Sequence, residues 1–121
     1  MNHVKSGGDL EVMGLMQGKV IKNTFYVLDS FALPIIGTET RVITTAETSE
    51  WISQLVTQSP VIGRNESCCG WYHSHPGYGP YLSGTDCDTQ RMSQKIMEPW
   101  LAIVIDPFRT ISTGKVELGC F

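Results

Sequence analysis

Between Leu10 and Val20 the chain reads LEVMGLMQGKV, a nearly unbroken apolar run that ends in turn-forming residues. A short run of this kind predicts a buried strand. TFYVLDSFALP (24–34) is rich in β-branched and aromatic residues and predicts a second strand, closed by Pro34. The turn-forming stretch Gly18–Asn23 makes the two a hairpin. IIGTETRV (35–42) then reads as a loop carrying Glu39 and Arg41. The period changes at TTAETSEWISQLVTQ (44–58), where Trp51, Ile52, Leu55 and Val56 share one helical face. Thr44 and Glu47 have capping-box spacing, and Pro60 lies just past the helix end.

The second half repeats this alternation. SCCGWYHSH (67–75) predicts a strand stopped by Pro76, and GYGPYLSG a loop. Ser83 and Asp86 again have capping-box spacing, which predicts a helix from about Gly84 to Met97 with Met92 and Ile96 facing inward and Pro99 beyond its end. WLAIVID (100–106) is a continuous apolar run, the pattern of a central strand. DPFRT reads as a turn, and KVELGCF (115–121) alternates as a last strand. The order β-β-α-β-α-β-β predicts an α/β fold: a mixed central sheet with flanking helices. The chain shows no repeat, low-complexity segment or linker, and 121 residues suit one domain with one core.

Composition narrows the function classes. Apolar residues make up 41% and charged residues 17%, the balance of a folded globular chain. A net charge of −3, with lysines and arginines scattered, gives no footprint for nucleic acid or an anionic membrane. No apolar run approaches the roughly 20 residues that span a bilayer, and MNHVKSGGDL lacks the apolar core of a secretion signal. Cys68, Cys69, Cys87 and Cys120 form no CxxC pair, which fits free thiols in a reducing compartment.

Two of the three histidines lie one residue apart, in GWYHSHPGYGPYLSGTD (70–86). On a strand, positions i and i+2 face the same way, so His73 and His75 present two imidazoles together. Asp86 follows after ten residues, at the start of a helix that a glycine-rich loop can fold back to the strand's end. Two histidines and one carboxylate would leave the fourth position of a tetrahedral zinc open, as in catalytic sites. A bare H-x-H more often holds no metal, so the spacing alone leaves both readings open. Glu11, inside an apolar strand, is a candidate general base or else an exposed strand-edge carboxylate. Ser83 is a helix cap, an oxyanion donor, or both.

EVMGLMQG followed by GWYHSHPGYGPYLSGTD closely resembles the signature of JAMM (MPN-plus) metalloproteases: an upstream glutamate, H-x-H, ten residues and Asp, with Ser three residues before that Asp. The match falls on Glu11, His73, His75, Ser83 and Asp86, and the resemblance runs over nearly the whole chain. It implies an MPN fold, similar to that of cytidine deaminases, although the deaminase signature itself is absent. It implies one Zn²⁺ per chain on His73, His75 and Asp86, with Glu11 as general base and Ser83 as oxyanion donor. DSFALPIIGTETRV and DPFRTISTGKVELGCF resemble most the signalosome-type members, which remove a ubiquitin-like modifier from cullins. The partners so implied are a modifier conjugated to a cullin and other subunits of a signalosome-like complex, among them an MPN-domain heterodimer partner. The implied compartments are cytoplasm and nucleus. The proteasome-lid deubiquitinase and a non-catalytic MPN scaffold are the competing readings. The same resemblance sets Glu39 and Arg41 on a loop beside the zinc site, where they would be regulatory.

The chain departs from its relatives at Pro80 and Tyr81, where they usually carry Cys and Trp. It also lacks most of a helix before the first strand and the chain after the last, so residues 1–121 read as a single MPN domain truncated at one or both ends. Cys68 and Cys69 near His73 raise a thiol-protease reading that no base-orienting group supports. Cys87 and Cys120 are expected to be packed, His3 to be exposed on a frayed terminus, and Trp71, Tyr72 and Trp100 to be core. Asp88 is expected to be solvated.

Overall fold

The computed structural model describes residues 1–37 and 66–121. The helix expected at 44–58, and with it Glu39 and Arg41, lies outside them. A short helix α1 (Asn2–Ser6) leads into strands β1 (Glu11–Ile21) and β2 (Thr24–Gly37). Strand β3 (Cys68–Ser74), helix α2 (Gly84–Ile96), strand β4 (Leu101–Asp106), helix α3 (Pro107–Thr113) and strand β5 (Glu117–Cys120) complete the described elements. The five strands form one sheet in the order β2-β1-β3-β4-β5. Only β3 and β4 run parallel, joined by the crossover that contains α2. The architecture is the mixed α/β sheet that the apolar pattern predicts.

Several expectations about the elements need correction. Pro34 does not end β2, which continues to Gly37. Val12 pairs with Ile36 and Gly14 with Ala32, so Leu33, Pro34 and Ile35 oppose Met13 alone. Pro34 therefore sits in a bulge on an edge strand, where its missing N–H breaks no ladder. The DPFRT segment is not a turn but the start of α3. Asp106 caps it through Phe108 N–H and Arg109 N–H, Pro107 occupies its first turn, and Gly114 closes it at a left-handed φ of 71°. The inner side of α2 is not apolar: Asp86 and Gln90 are buried, whereas Met92 and Ile96 are 67% and 86% exposed.

Each face of the sheet has its own apolar cluster. Val4 of α1 packs with Val12, Met16, Cys69, Tyr72 and Ile105 on one face. Met13, Leu15, Leu33, Trp71 and Ala102 pack on the other, the face where Trp71 meets Gln90 of α2. His3 is tied to the first face by Tyr72, whose hydroxyl lies 2.9 Å from His3 Nδ1, so it is not a frayed, exposed residue. Cys87 and Cys120 are exposed rather than packed, whereas Trp71 and Tyr72 are core as expected.

Gly14 lies opposite Tyr72 across the β1–β3 ladder. A Cβ at this position would run into the Tyr72 ring and the Phe31 carbonyl. Gly14→Ala is therefore expected to lower unfolding stability by about 1–3 kcal/mol, the usual cost of overpacking. Urea denaturation beside Gly84→Ala checks this, since a Cβ at Gly84 meets nothing within 4 Å. Equal midpoints for the two variants would show that the ladder absorbs the methyl group without cost.

Candidate metal centre

The antiparallel register of β1 and β3 builds the site. Met13 pairs with His73, so strand alternation places Glu11 next to the position of His75, on the face shared with Met13 and Trp71. The His73 ring stacks on Trp71, with centroids 4.6 Å apart and planes 12° from parallel. Trp71 is fixed in turn by its indole N–H, which donates to Gln90 Oε1 at 2.8 Å, and the Gln90 amide donates to the Trp100 carbonyl at 2.7 Å. The polar inner face of α2 is thus committed to the sheet and to the site. Between the two histidines, Ser74 is fully buried, and its Oγ accepts from Val12 N–H at 2.9 Å, closing β1 against β3 at the mouth of the site.

Asp86 arrives through the predicted capping box. Ser83 Oγ accepts from Asp86 N–H at 3.2 Å, and Asp86 Oδ2 accepts from Ser83 N–H at 2.9 Å. The same carboxylate oxygen lies 3.0 Å from His73 Nε2 and 3.2 Å from His75 Nε2, and the two nitrogens are 3.1 Å apart. All three residues are buried. His75 Nδ1 donates to the Gly79 carbonyl at 3.1 Å, which leaves the Nε2 lone pair pointing at the common centre.

Burial opposes charge on Asp86, but hydrogen bonds from His73 and His75 outweigh it and hold the carboxyl well below the usual carboxylate range. Burial also opposes charge on His75; the hydrogen bond and charge of Asp86, with smaller help from the Gly79 carbonyl and Glu11, raise its pKa above the ordinary histidine value. Two imidazole nitrogens and one carboxylate oxygen thus converge on a single point. Ligands held roughly 2.0–2.1 Å from a tetrahedral zinc stand about 3.3 Å apart, close to the triangle seen here. His73, His75 and Asp86 can hold a metal ion, and they are the only such group among the described residues.

Glu11 is 9% exposed and accepts a hydrogen bond from the Tyr78 hydroxyl, so it is not a solvated strand-edge carboxylate. The Tyr78 ring lies 4.7 Å from His75, and Tyr81 meets the same imidazole edge-on at 5.1 Å. Tyr81, one of the two departures from the resembled motif, thus sets an aromatic ring against His75. Burial raises the pKa of both Cys68 and Cys69, which disfavours the thiolate that a thiol mechanism needs. Asp88 is solvated, as expected, with 78% of its side chain exposed.

Residues 1–99 match the family model described as JAB1/Mov34/MPN/PAD-1 ubiquitin protease. The chain belongs to this family. Among curated proteins, it is 55% identical over 119 residues to the COP9 signalosome complex subunit 5 of Caenorhabditis elegans, covering 98% of this chain and 32% of that protein. It is 56% identical to the subunit 5 of Dictyostelium discoideum, covering 36% of it, and 54% identical to subunit 5a of Arabidopsis thaliana, covering 33%. The chain therefore spans about a third of the length of the curated relatives it matches.

Within this JAB/MPN domain, the structure gathers His73, His75 and Asp86 at one point, with Glu11 beside His75 and Ser83 capping the helix that bears Asp86. Tyr78 and Asp106 escaped the sequence reading. Tyr78 sits in a glycine loop that carries no periodic signal. Asp106 was legible as the residue before Pro107, a helix-start signal.

Proposed function

We propose that this chain is the catalytic domain of a zinc isopeptidase that cuts the bond between a ubiquitin-like modifier and a substrate lysine. The substrate best supported is a modified cullin, handled inside a signalosome-like complex in the cytoplasm and nucleus. The observation that carries the reading is the buried triangle of His73 Nε2, His75 Nε2 and Asp86 Oδ2 with a buried carboxylate, Glu11, at its side. The names of the relatives support the choice of substrate and assembly.

Zinc bound by the three ligands supplies Lewis acidity, which acidifies water and polarises a carbonyl. The chain's own groups do the rest. Glu11 accepts the proton of the attacking water and returns it to the leaving lysine amine, a shuttle that requires an unbonded carboxylate oxygen. The Tyr78 hydroxyl engages Oε1 and leaves Oε2 for this task. Ser83 Oγ already accepts from Asp86 N–H, so its own O–H is free to donate to the oxyanion of the tetrahedral intermediate.

The test is to incubate the chain, alone and with the other subunits of such a complex, with a modified cullin and with a ubiquitin chain. The expected result is zinc-dependent release of intact modifier, with the higher kcat/KM on the cullin. Faster cleavage of ubiquitin chains would move the chain to the proteasome-lid type. Stoichiometric zinc with no cleavage of either substrate would make it an interaction module.

A further inference from the structure

Asp106 is a fully buried carboxylate at the end of β4, outside the ligand triangle. It caps α3, but a cap needs only two of its bonds. Its Oδ1 also accepts from Gly77 N–H at 3.0 Å, and its Oδ2 accepts from Gly79 N–H at 2.9 Å. Arg109 Nε lies 3.3 Å from Oδ2. Both glycines have left-handed φ values, 89° and 95°, so the loop they bound has a fixed and unusual path. From that loop two contacts enter the site. The Gly79 carbonyl takes the His75 Nδ1–H, and the Tyr78 hydroxyl reaches Glu11.

We infer that Asp106 is a positioning residue of the metal centre: one buried carboxylate clamps Gly77 and Gly79 and through them sets both the tautomer of His75 and the placement of Glu11. The inference rests on the zinc isopeptidase reading above. A simple helix cap has no reason to hold the N–H groups of a loop 27 and 29 residues away in sequence. The loop's other end supports the same view, since β3 is already fixed by its ladder up to Ser74 and His75 N–H donates to the Ile105 carbonyl at 2.9 Å. The strand fixes the histidine backbones, and the clamp fixes the ring that the backbone leaves free to rotate.

The test is Asp106→Asn. Its amide oxygen can keep the Oδ1 contacts to Gly77 and α3, while its NH₂ faces the Gly79 N–H and Arg109, donor against donor. Zinc affinity, measured by competition with a chromophoric chelator, is expected to fall about 10–100-fold, the usual effect of losing a partner that orients a metal ligand. At saturating zinc, kcat is expected to remain below the parent with KM unchanged. Gly114→Ala strains the other end of α3 at φ 71° without touching the clamp, so it controls for destabilisation of that helix and should keep parental zinc affinity. Asp106→Asn with the affinity of Gly114→Ala would overturn the inference and leave the isopeptidase reading standing. A parent chain that binds no zinc would overturn both. Hydrogen exchange on the parent gives a check that needs no variant: the amides of Gly77 and Gly79 should be protected like those of the β3–β4 ladder, and fast exchange there would rule out the clamp.

Discussion

His75→Ala is expected to bind no zinc, and the parent one ion per chain. The variant removes one of three protein ligands from a fully buried position, and neither Asp86 nor His73 can reach across to replace it. Cleavage should fall to background with it. Because a buried imidazole also fills space, the companion variant Asp86→Asn keeps the volume and the acceptor for Ser83 N–H while removing the anionic ligand. Native mass spectrometry of both reads the ion directly. Affinity in the parent should also weaken as pH falls, since protons compete for His75, whose pKa is raised, before they reach Asp86, whose pKa is lowered. Stoichiometric zinc in either variant would show that the triangle is not the ligand set.

Glu11→Gln separates holding the metal from doing the chemistry. The amide has the same shape, and its oxygen can still accept from the Tyr78 hydroxyl, so the site should keep its geometry and its zinc. It cannot take and return a proton. Loss of general acid–base help typically costs 10²–10⁴-fold, or roughly 3–5 kcal/mol of barrier. The fall should appear in kcat, with KM nearly unchanged, because a proton shuttle acts only as the bond breaks. Single-turnover cleavage of a modified peptide at normal zinc occupancy measures it. A rate within a few-fold of the parent would leave Glu11 a structural carboxylate held by Tyr78.

The meeting of His73, His75 and Asp86 was legible because each part obeys a local rule, whereas a zinc ion among them was implied only by the family resemblance. Alternation along β3 brings His73 and His75 to one side, and the Ser83–Asp86 capping box fixes where the aspartate faces. Local rules failed where long-range needs overrode them. Helical periodicity points Met92 and Ile96 inward, but the face that docks carries Asp86 and Gln90, because the sheet below offers imidazoles and an indole N–H. Pro34 reads as a stop, yet an edge strand with a bulge accommodates it. DPFRT reads as a turn because turns and helix starts share the same residues, and the seven-residue helix that follows has too little periodicity to decide between them. Asp106 looks like an ordinary cap until the loop that follows the neighbouring strand β3 is seen folded onto it.

Within helix α2 the buried side chains are Asp86 and Gln90. Among the described residues, the Gln90 bridge and the meeting of Asp86 with two histidines fasten it to the sheet. A cation captured there joins β3 to the crossover and has no preformed site in the unfolded chain, so binding and folding become linked equilibria. At a free concentration 100 times its dissociation constant, such an ion adds about 2.7 kcal/mol to the unfolding free energy. If the site holds zinc as proposed, the melting temperature of this domain is not a constant of the polypeptide but a reading of the free metal around it, and a chelator would loosen the crossover helix as well as stop the proposed cleavage.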